Sequence, residues 1–219
     1  MTITQVKAEV YLNRAAGLIK ETIDATQDLR QRAIQHDSTV NSDQPFLKGM
    51  VSAFKGSRNL TQRKSSLLRD IELAKQEIGN SERSDPEATI EAFGSTFNST
   101  GLRALATYAT GQLELVWGQA ERAKELFYES LRIAECADAH YMLGLLYEGE
   151  FKPKDALSHF EQCLELEPDG ELSVSALREA NAMRNYRKKF RGSWLTLLIL
   201  FIFPIPVLGA VLYFLLKFR

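Results

Sequence analysis

The residues whose types could do chemistry are few and widely spaced. His36, His140 and His159, with Cys136 and Cys163, are the only imidazoles and thiols in a chain of 219 residues. His159 and Cys163 stand four apart and could share a helix face. No further ligand and no paired-cysteine spacing accompany them, so no metal site is expected. Two cysteines are too few for a disulfide framework and fit a reducing cytosol. A Gly-rich phosphate loop, an HExxH pair and a nucleophile elbow are all missing from the sequence. Acids such as Glu121, Glu125 and Glu129 are scattered along solvated helix faces. The expectation is a protein that is not an enzyme and uses no cofactor, with histidines that serve packing or the surface.

The elements that would position any site are helices. From about Ala104 to Gly170 the sequence repeats with a period of 33 residues: Gly111 recurs as Gly144, Leu113 as Leu146, Ala123 as Ala156, Phe127 as Phe160 and Leu131 as Leu164. A period in this range means stacked helical pairs, each burying its apolar face on the next. In Leu143-Gly144-x-x-Tyr147 a small residue faces the close crossing of two helices and the tyrosine fills the gap beside it. Ala156 is the matching close contact on the second helix, Phe160 supplies bulk, and Pro168 ends the pair.

These residues resemble the tetratricopeptide repeat. The copy from about Ala137 to Gly170 is in register throughout, with Cys163 where a small residue is expected. The copy from about Ala104 to Ala137 keeps Gly111, Gly118, Ala123 and Phe127 but has Glu114 in place of the tyrosine and Glu135 in place of the proline. The resemblance implies protein–protein binding through the concave face formed by the first helix of each pair. On this chain that groove would carry Leu105, Tyr108, Ala109, Gln112 and Leu115, then Asp138, Tyr141, Met142 and Leu145. The family's clamp for chaperone C-terminal carboxylates needs Lys, Arg and Asn here, and they are missing. The groove is apolar and aromatic, suited to an amphipathic helix from a partner or to the chain's own N-terminal segment.

The flanks are also helical. Leu12, Ala15, Ala16, Ile19, Ile23, Leu29 and Ala33 form a stripe in a helix from about Thr4 to Gln35, followed by a polar break from His36 to Gln44. Phe46, Leu47, Met50, Val51 and Phe54, interspersed with Lys48 and Lys55, make a short basic amphipathic segment, read as core-facing before membrane-facing. Leu67, Leu68, Ile71, Ala74 and Ile78 give a further buried face. Ser84-Asp85-Pro86-Glu87 is a helix-start signal, and the helix it starts is expected to run through Ile90 and Phe93 to the turn Asn98-Ser99-Thr100-Gly101. No strand pattern is evident. Leu172, Ala176, Leu177, Ala180 and Met183 predict a helix that caps the repeats.

The C-terminal stretch changes character. Trp194 to Leu216 is an apolar run of 23 residues without a charge. As a helix it would be roughly 34 Å long, against a hydrocarbon core of about 30 Å. Arg184, Arg187, Lys188, Lys189 and Arg191 precede it and only Lys217 and Arg219 follow, so the positive-inside bias leaves the N-terminal side in the cytosol. The same five basic residues could meet an anionic lipid surface. Pro204 and Pro206 predict a kink; a shallow hairpin is the less favoured alternative, because its turn would bury unpaired backbone in lipid. No secretory signal opens the chain, and Asn59-Leu60-Thr61 and Asn98-Ser99-Thr100 read as chance matches to the glycosylation pattern.

The sequence thus predicts an all-α chain: an N-terminal helical region (1–83), about two tetratricopeptide-like repeats (84–170), a capping helix with a basic juxtamembrane segment (171–191) and a transmembrane tail anchor (192–219). The net charge of −1 implies no nucleic-acid partner. The expected function is a membrane-anchored adaptor that binds a protein partner at the cytosolic face, its layout similar to tail-anchored repeat adaptors of organelle membranes. The alternatives are a small subunit or assembly factor of a larger membrane complex, or a lipid-remodelling protein.

Overall fold

The computed structural model describes residues 3–37, 58–170 and 172–186. Trp194–Leu216, the basic residues Arg187, Lys188, Lys189 and Arg191, and the segment from Phe46 to Lys55 lie outside the described residues. Among the described residues no helix is long and apolar enough to cross a membrane.

The chain opens with a long helical hairpin, α1 (Ile3–Asp37) and α2 (Arg58–Ser84). Buried positions of α1 include Ala8, Leu12, Ala15, Ile19, Thr22, Thr26 and Leu29, with Ala16 beside Ala15, and the first seven, like Leu67, Ile71, Ala74, Ile78 and Ser81 of α2, form a regular row. Both sets alternate steps of four and three, the seam of a coiled coil. Thr22 and Thr26 interrupt the apolar run without leaving unpaired hydroxyls, since Thr22 Oγ1 donates to the Leu18 carbonyl and Thr26 Oγ1 to the Thr22 carbonyl. Surface pairs mark the antiparallel register: Asp28 with Arg63 at 3.9 Å and Arg14 with Glu77 at 4.0 Å.

The expected helix after Ser84 is not formed. Asp85 instead closes α2, its backbone N–H on the Ser81 carbonyl and its side chain accepting from the Glu87 N–H in an Asx turn. A β-hairpin follows, β1 (Thr89–Ala92) and β2 (Ser95–Asn98), in register Thr89↔Asn98, Ile90↔Phe97, Glu91↔Thr96 and Ala92↔Ser95. Its two-residue turn, Phe93-Gly94, has φ of 53° and 76°. Positive φ at both positions is the primed turn that matches the twist of paired strands. Ile90 is buried against the first hairpin's core, and Asn98 leaves the sheet to cap the next helix, accepting from the Gly101 N–H at 2.9 Å.

Two helical pairs come next: α3 (Ser99–Val116) with α4 (Ala120–Ile133), and α5 (Ala137–Gly149) with α6 (Pro153–Leu166). The close crossings fall where the period puts them. A Cβ on Gly111 would lie 2.7 Å from Phe127 Cε1, and one on Gly144 would lie 2.5 Å from Phe160 Cε1. Ser130 Oγ donates to the Ala104 carbonyl at 2.8 Å, tying α4 to α3. One period later, Cys163 and Ala137 meet in a small apolar cluster. The first copy's Glu114, standing where the second has Tyr147, is taken by Lys64 of α2 at 2.7 Å. That departure from the repeat pattern marks where the N-terminal hairpin docks.

The α3–α4 turn uses Gly118 at φ 79°, and the equivalent α5–α6 turn has Phe151 at φ 58°. A left-handed backbone costs a side-chain-bearing residue about 1–2 kcal/mol, and Phe151, 77% exposed, recovers little by packing. Phe151→Gly is therefore expected to raise stability by about 0.5–1 kcal/mol, after the extra chain entropy of glycine is subtracted. Urea unfolding would measure it, and a loss of stability would mean that Phe151 packs in a way its exposure does not reveal.

A last helix, α7, spans residues 173–186 and packs by Ala176, Ala180 and Met183. Leu177, expected on that face, is instead 49% exposed, with Val174 at 78%. The small alanines, not the leucine, face α6.

Candidate functional site

The expected concave groove is largely filled from within. Gln112, Leu115 and Met142 are buried. Leu29 of α1 enters the same apolar cluster as Tyr108, Leu115 and Met142, with Ile23 packed against it. From the other side, Tyr141 and Leu145 are half-buried against Phe160 and the α7 residues Ala180 and Met183. The Tyr141 and Phe160 ring centroids are 5.9 Å apart. Arg184, the one expected membrane-surface residue among those described, pairs with Glu161 at 2.8 Å.

What the internal helices leave uncovered is a cleft of about 830 Å³ at the hairpin end of the groove. Of the expected groove residues, Leu105, Tyr108 and Asp138 line it. Phe93 and Phe97 of the β-hairpin form one wall, with ring centroids 5.8 Å apart in an edge-to-face contact. Ile23 and Gln27 of α1 form a second wall, and Tyr108 is braced below by the Phe127 ring at 5.6 Å. The rim is acidic. Glu135 comes from the α4–α5 turn, Asp138 from the first turn of α5, and Glu167 and Asp169 from the turn after α6, and the lining among the described residues contains no lysine or arginine. The two turns are equivalent places in successive repeats, but the acids fall at different positions within them: Glu135 stands where the second copy has Pro168, and Glu167 where the first has Ala134. Sequence reasoning missed Phe93 and Phe97, because it placed them in a helix.

A second group of polar side chains lies between α4, α5 and α6. His140 and His159, 19 positions apart, face each other with their Nδ1 atoms 3.0 Å apart. Glu135 holds His140 Nε2 at 3.0 Å, Tyr128 Oη lies 3.1 Å from His159 Nε2, and Tyr147 Oη is 2.8 Å from Tyr128 Oη. The His159 ring stacks on Tyr147 at 5.4 Å. With both imidazoles neutral, the Glu135 carboxylate fixes the chain's direction: His140 Nε2–H donates to Glu135, His159 Nδ1–H to His140, Tyr128 to His159 and Tyr147 to Tyr128. Among the described residues no three His, Cys, Asp or Glu side chains are grouped to hold a metal ion. Burial pushes the Cys136 and Cys163 thiols up to about 11, far from the reactive thiolate form.

Burial, and after it the neighbouring His140, hold the His159 imidazole down to about 4, against an ordinary value near 6.5. Between those values the unfolded chain takes up a proton that the folded chain refuses. The neutral ring's contribution is therefore complete above pH 6.5 and is lost as pH falls toward 4. Besides His140, the groups facing it are Tyr128, Tyr147 and Asp155, the last opposing the shift. His159→Gln is expected to lose less stability than the parent between pH 7 and pH 5, by about 1 kcal/mol once solvent screening of a partly exposed ring is allowed for. Denaturant midpoints at the two pH values measure this, and parallel losses in both proteins would place the acid sensitivity elsewhere.

The architecture is that of a helical-hairpin repeat scaffold, its groove occupied by its own flanking helices except at one end. Residues 137–169 match the family model of the tetratricopeptide repeat. These bounds coincide with the α5–α6 pair and the acidic turn after it. Comparison with curated proteins gives no match. Tetratricopeptide repeats generally mediate protein–protein interaction, and the chain carries one.

Proposed function

We propose that this protein is an adaptor that holds a protein partner at a membrane surface, binding it at the repeat region and being anchored by Trp194–Leu216. The observation that carries the partner-binding half is the cleft at the end of the repeat groove, walled by aromatic side chains and left open by the described helices. The anchoring half rests on the length and apolarity of the 23-residue run and on the basic residues before it. Confinement raises the local concentration of whatever the cleft holds, so a modest affinity suffices. Binding, and not catalysis, is the role these residues support, with the repeats on the cytosolic side.

A second reading, a fixed subunit of a membrane complex, draws on Val174 and Leu177, which leave an apolar strip on the outer face of α7 at the end of the array. Terminal repeats are commonly polar there.

Membrane fractionation and affinity purification from mild detergent, on the full chain beside a chain lacking 194–216, test the proposal. An adaptor keeps its partner in both forms and reaches the membrane only in the full one. Release of the full chain by alkaline carbonate would overturn the anchoring. Partners in fixed ratio that are lost with Val174→Asp and Leu177→Asp would favour the subunit reading.

A further inference from the structure

Resting on the anchoring reading above, we infer that the α5–α6 turn is a membrane contact: the Phe151 side chain enters the interfacial layer of the bilayer that holds the anchor.

The direction of α7 places this turn. Ala176, near the start of α7, clusters with Cys163 near the end of α6, whereas Ala180 and Met183 cluster with Phe160, Leu157 and Ala156 towards its start. The two helices therefore run antiparallel, and one more turn of each brings Tyr186 and Pro153 to the same end of the array. Phe151 stands there, just before Pro153. Seven residues, Arg187 to Ser193, then join Tyr186 to Trp194. Even fully extended, a link of that length reaches only about 28 Å. The chain thus leaves the repeats for the apolar run from the end that carries Phe151.

Exposure singles out the ring. Phe151 is 77% exposed, more than any other aromatic side chain among the described residues. The turn itself does not call for it, since the first copy makes the equivalent turn with Gly118.

Charge decides the kind of lipid. Glu150, the acid next to Phe151, is taken by both Lys124 and Lys152. Lys124, Lys152 and Lys154 at this end stand against Glu121, Glu148, Glu150 and Asp155, so no excess of positive charge draws it to anionic headgroups. The apolar ring is what a bilayer takes up here, while the lysine stems lie along the interface with their ammonium groups in water. Burying one phenylalanine side chain shifts a population about tenfold to a hundredfold. That is enough for a tethered domain, because the anchor has already brought the two surfaces together.

The test uses the full chain reconstituted into phosphatidylcholine vesicles, with a fluorescent amino acid in place of Lys154, beside the turn, or of Glu165, near the far end of α6. A nitroxide carried on the lipid about 5–10 Å below the headgroup level, where interfacial side chains sit, quenches a nearby fluorophore. Position 154 is expected to be quenched about threefold more strongly than position 165, since the rise along α6 separates them by about 16 Å. Phe151→Gly has the residue that Gly118 already supplies at the equivalent turn, so it should fold and bring position 154 down to the level of position 165. Phe151→Trp should keep the difference. Equal quenching at the two positions, in a chain that floats with the vesicles, overturns the inference and leaves the anchor standing. Quenching at position 154 that survives Phe151→Gly, or that needs anionic lipid, assigns the contact to the basic residues before Trp194 and overturns it as well. A chain that fails to float with the vesicles overturns the anchoring reading and this inference with it.

Discussion

Phe160→Ala is expected to cost about 3–5 kcal/mol, the range for emptying a fully buried aromatic site. Phe160 has no exposed surface and is the centre of the cluster that joins α5, α6 and α7, touching Ala156, Leu157, Ala180 and Met183. Collapse of the surroundings would relieve little of this. Gly144 faces the ring and Tyr141 lies beside it at a tilt of 54°, and neither is placed to fill the void. Chemical denaturation should show one cooperative loss, with α7 released in the same transition. A cost near 1 kcal/mol would mean that the helical pair closes up over the gap.

Gly144→Ala should also destabilise, although alanine is the better helix former by about 1 kcal/mol. The new methyl would meet three atoms of the Phe160 ring, at 2.5, 2.7 and 2.9 Å. That ring is held on all sides, so the helices must move apart. Overpacking costs about 1–3 kcal/mol, and with three ring atoms inside 3.0 Å the upper half of that range applies, so after the propensity gain the net loss is about 1–2 kcal/mol. The cycle with Phe160→Leu separates the two terms. On the leucine background the alanine should be better tolerated by about 1 kcal/mol, the coupling expected of residues in direct contact. Additive losses would show that glycine is needed here for something other than the space it leaves for Phe160.

The repeat was legible because its residues are read twice. Gly111 with Phe127 and Gly144 with Phe160 are the same contact one period apart, and a pattern that recurs constrains the geometry more than any single propensity. The α1 and α2 stripes were legible for a similar reason, although Thr22 and Thr26 hid how regular the α1 seam is: a threonine bonded to its own helix's carbonyl packs as an apolar residue does. The β-hairpin was not legible. Its strands have four residues each, too few to establish alternation, and its turn carries Phe-Gly where Asn-Gly would have announced it. Asp85-Pro86 is a helix-start pair and an Asx-turn pair at once, and only the preceding helix decides between them. Of the expected groove, Leu105, Tyr108 and Asp138 reach the cleft and Gln112, Leu115 and Met142 do not. Leu29, a residue some eighty positions away whose place no local pattern fixes, joins Tyr108, Leu115 and Met142 in one buried cluster. The His140–His159 contact is encoded by the antiparallel register that sets Gly144 beside Phe160, and it emerges only once that register is drawn.

The burial of Leu29 among Tyr108, Leu115 and Met142 can be put in terms of competition. α1 is a ligand the molecule supplies to itself. A tethered segment of this kind acts at an effective concentration on the order of millimolar. A partner helix present at micromolar levels would need on the order of a thousandfold greater affinity for the same surface to dislodge it. Imitating α1 therefore gains a partner nothing. Among the described residues none covers the surface that α1 leaves open, and a short segment can occupy it while the first hairpin stays in place.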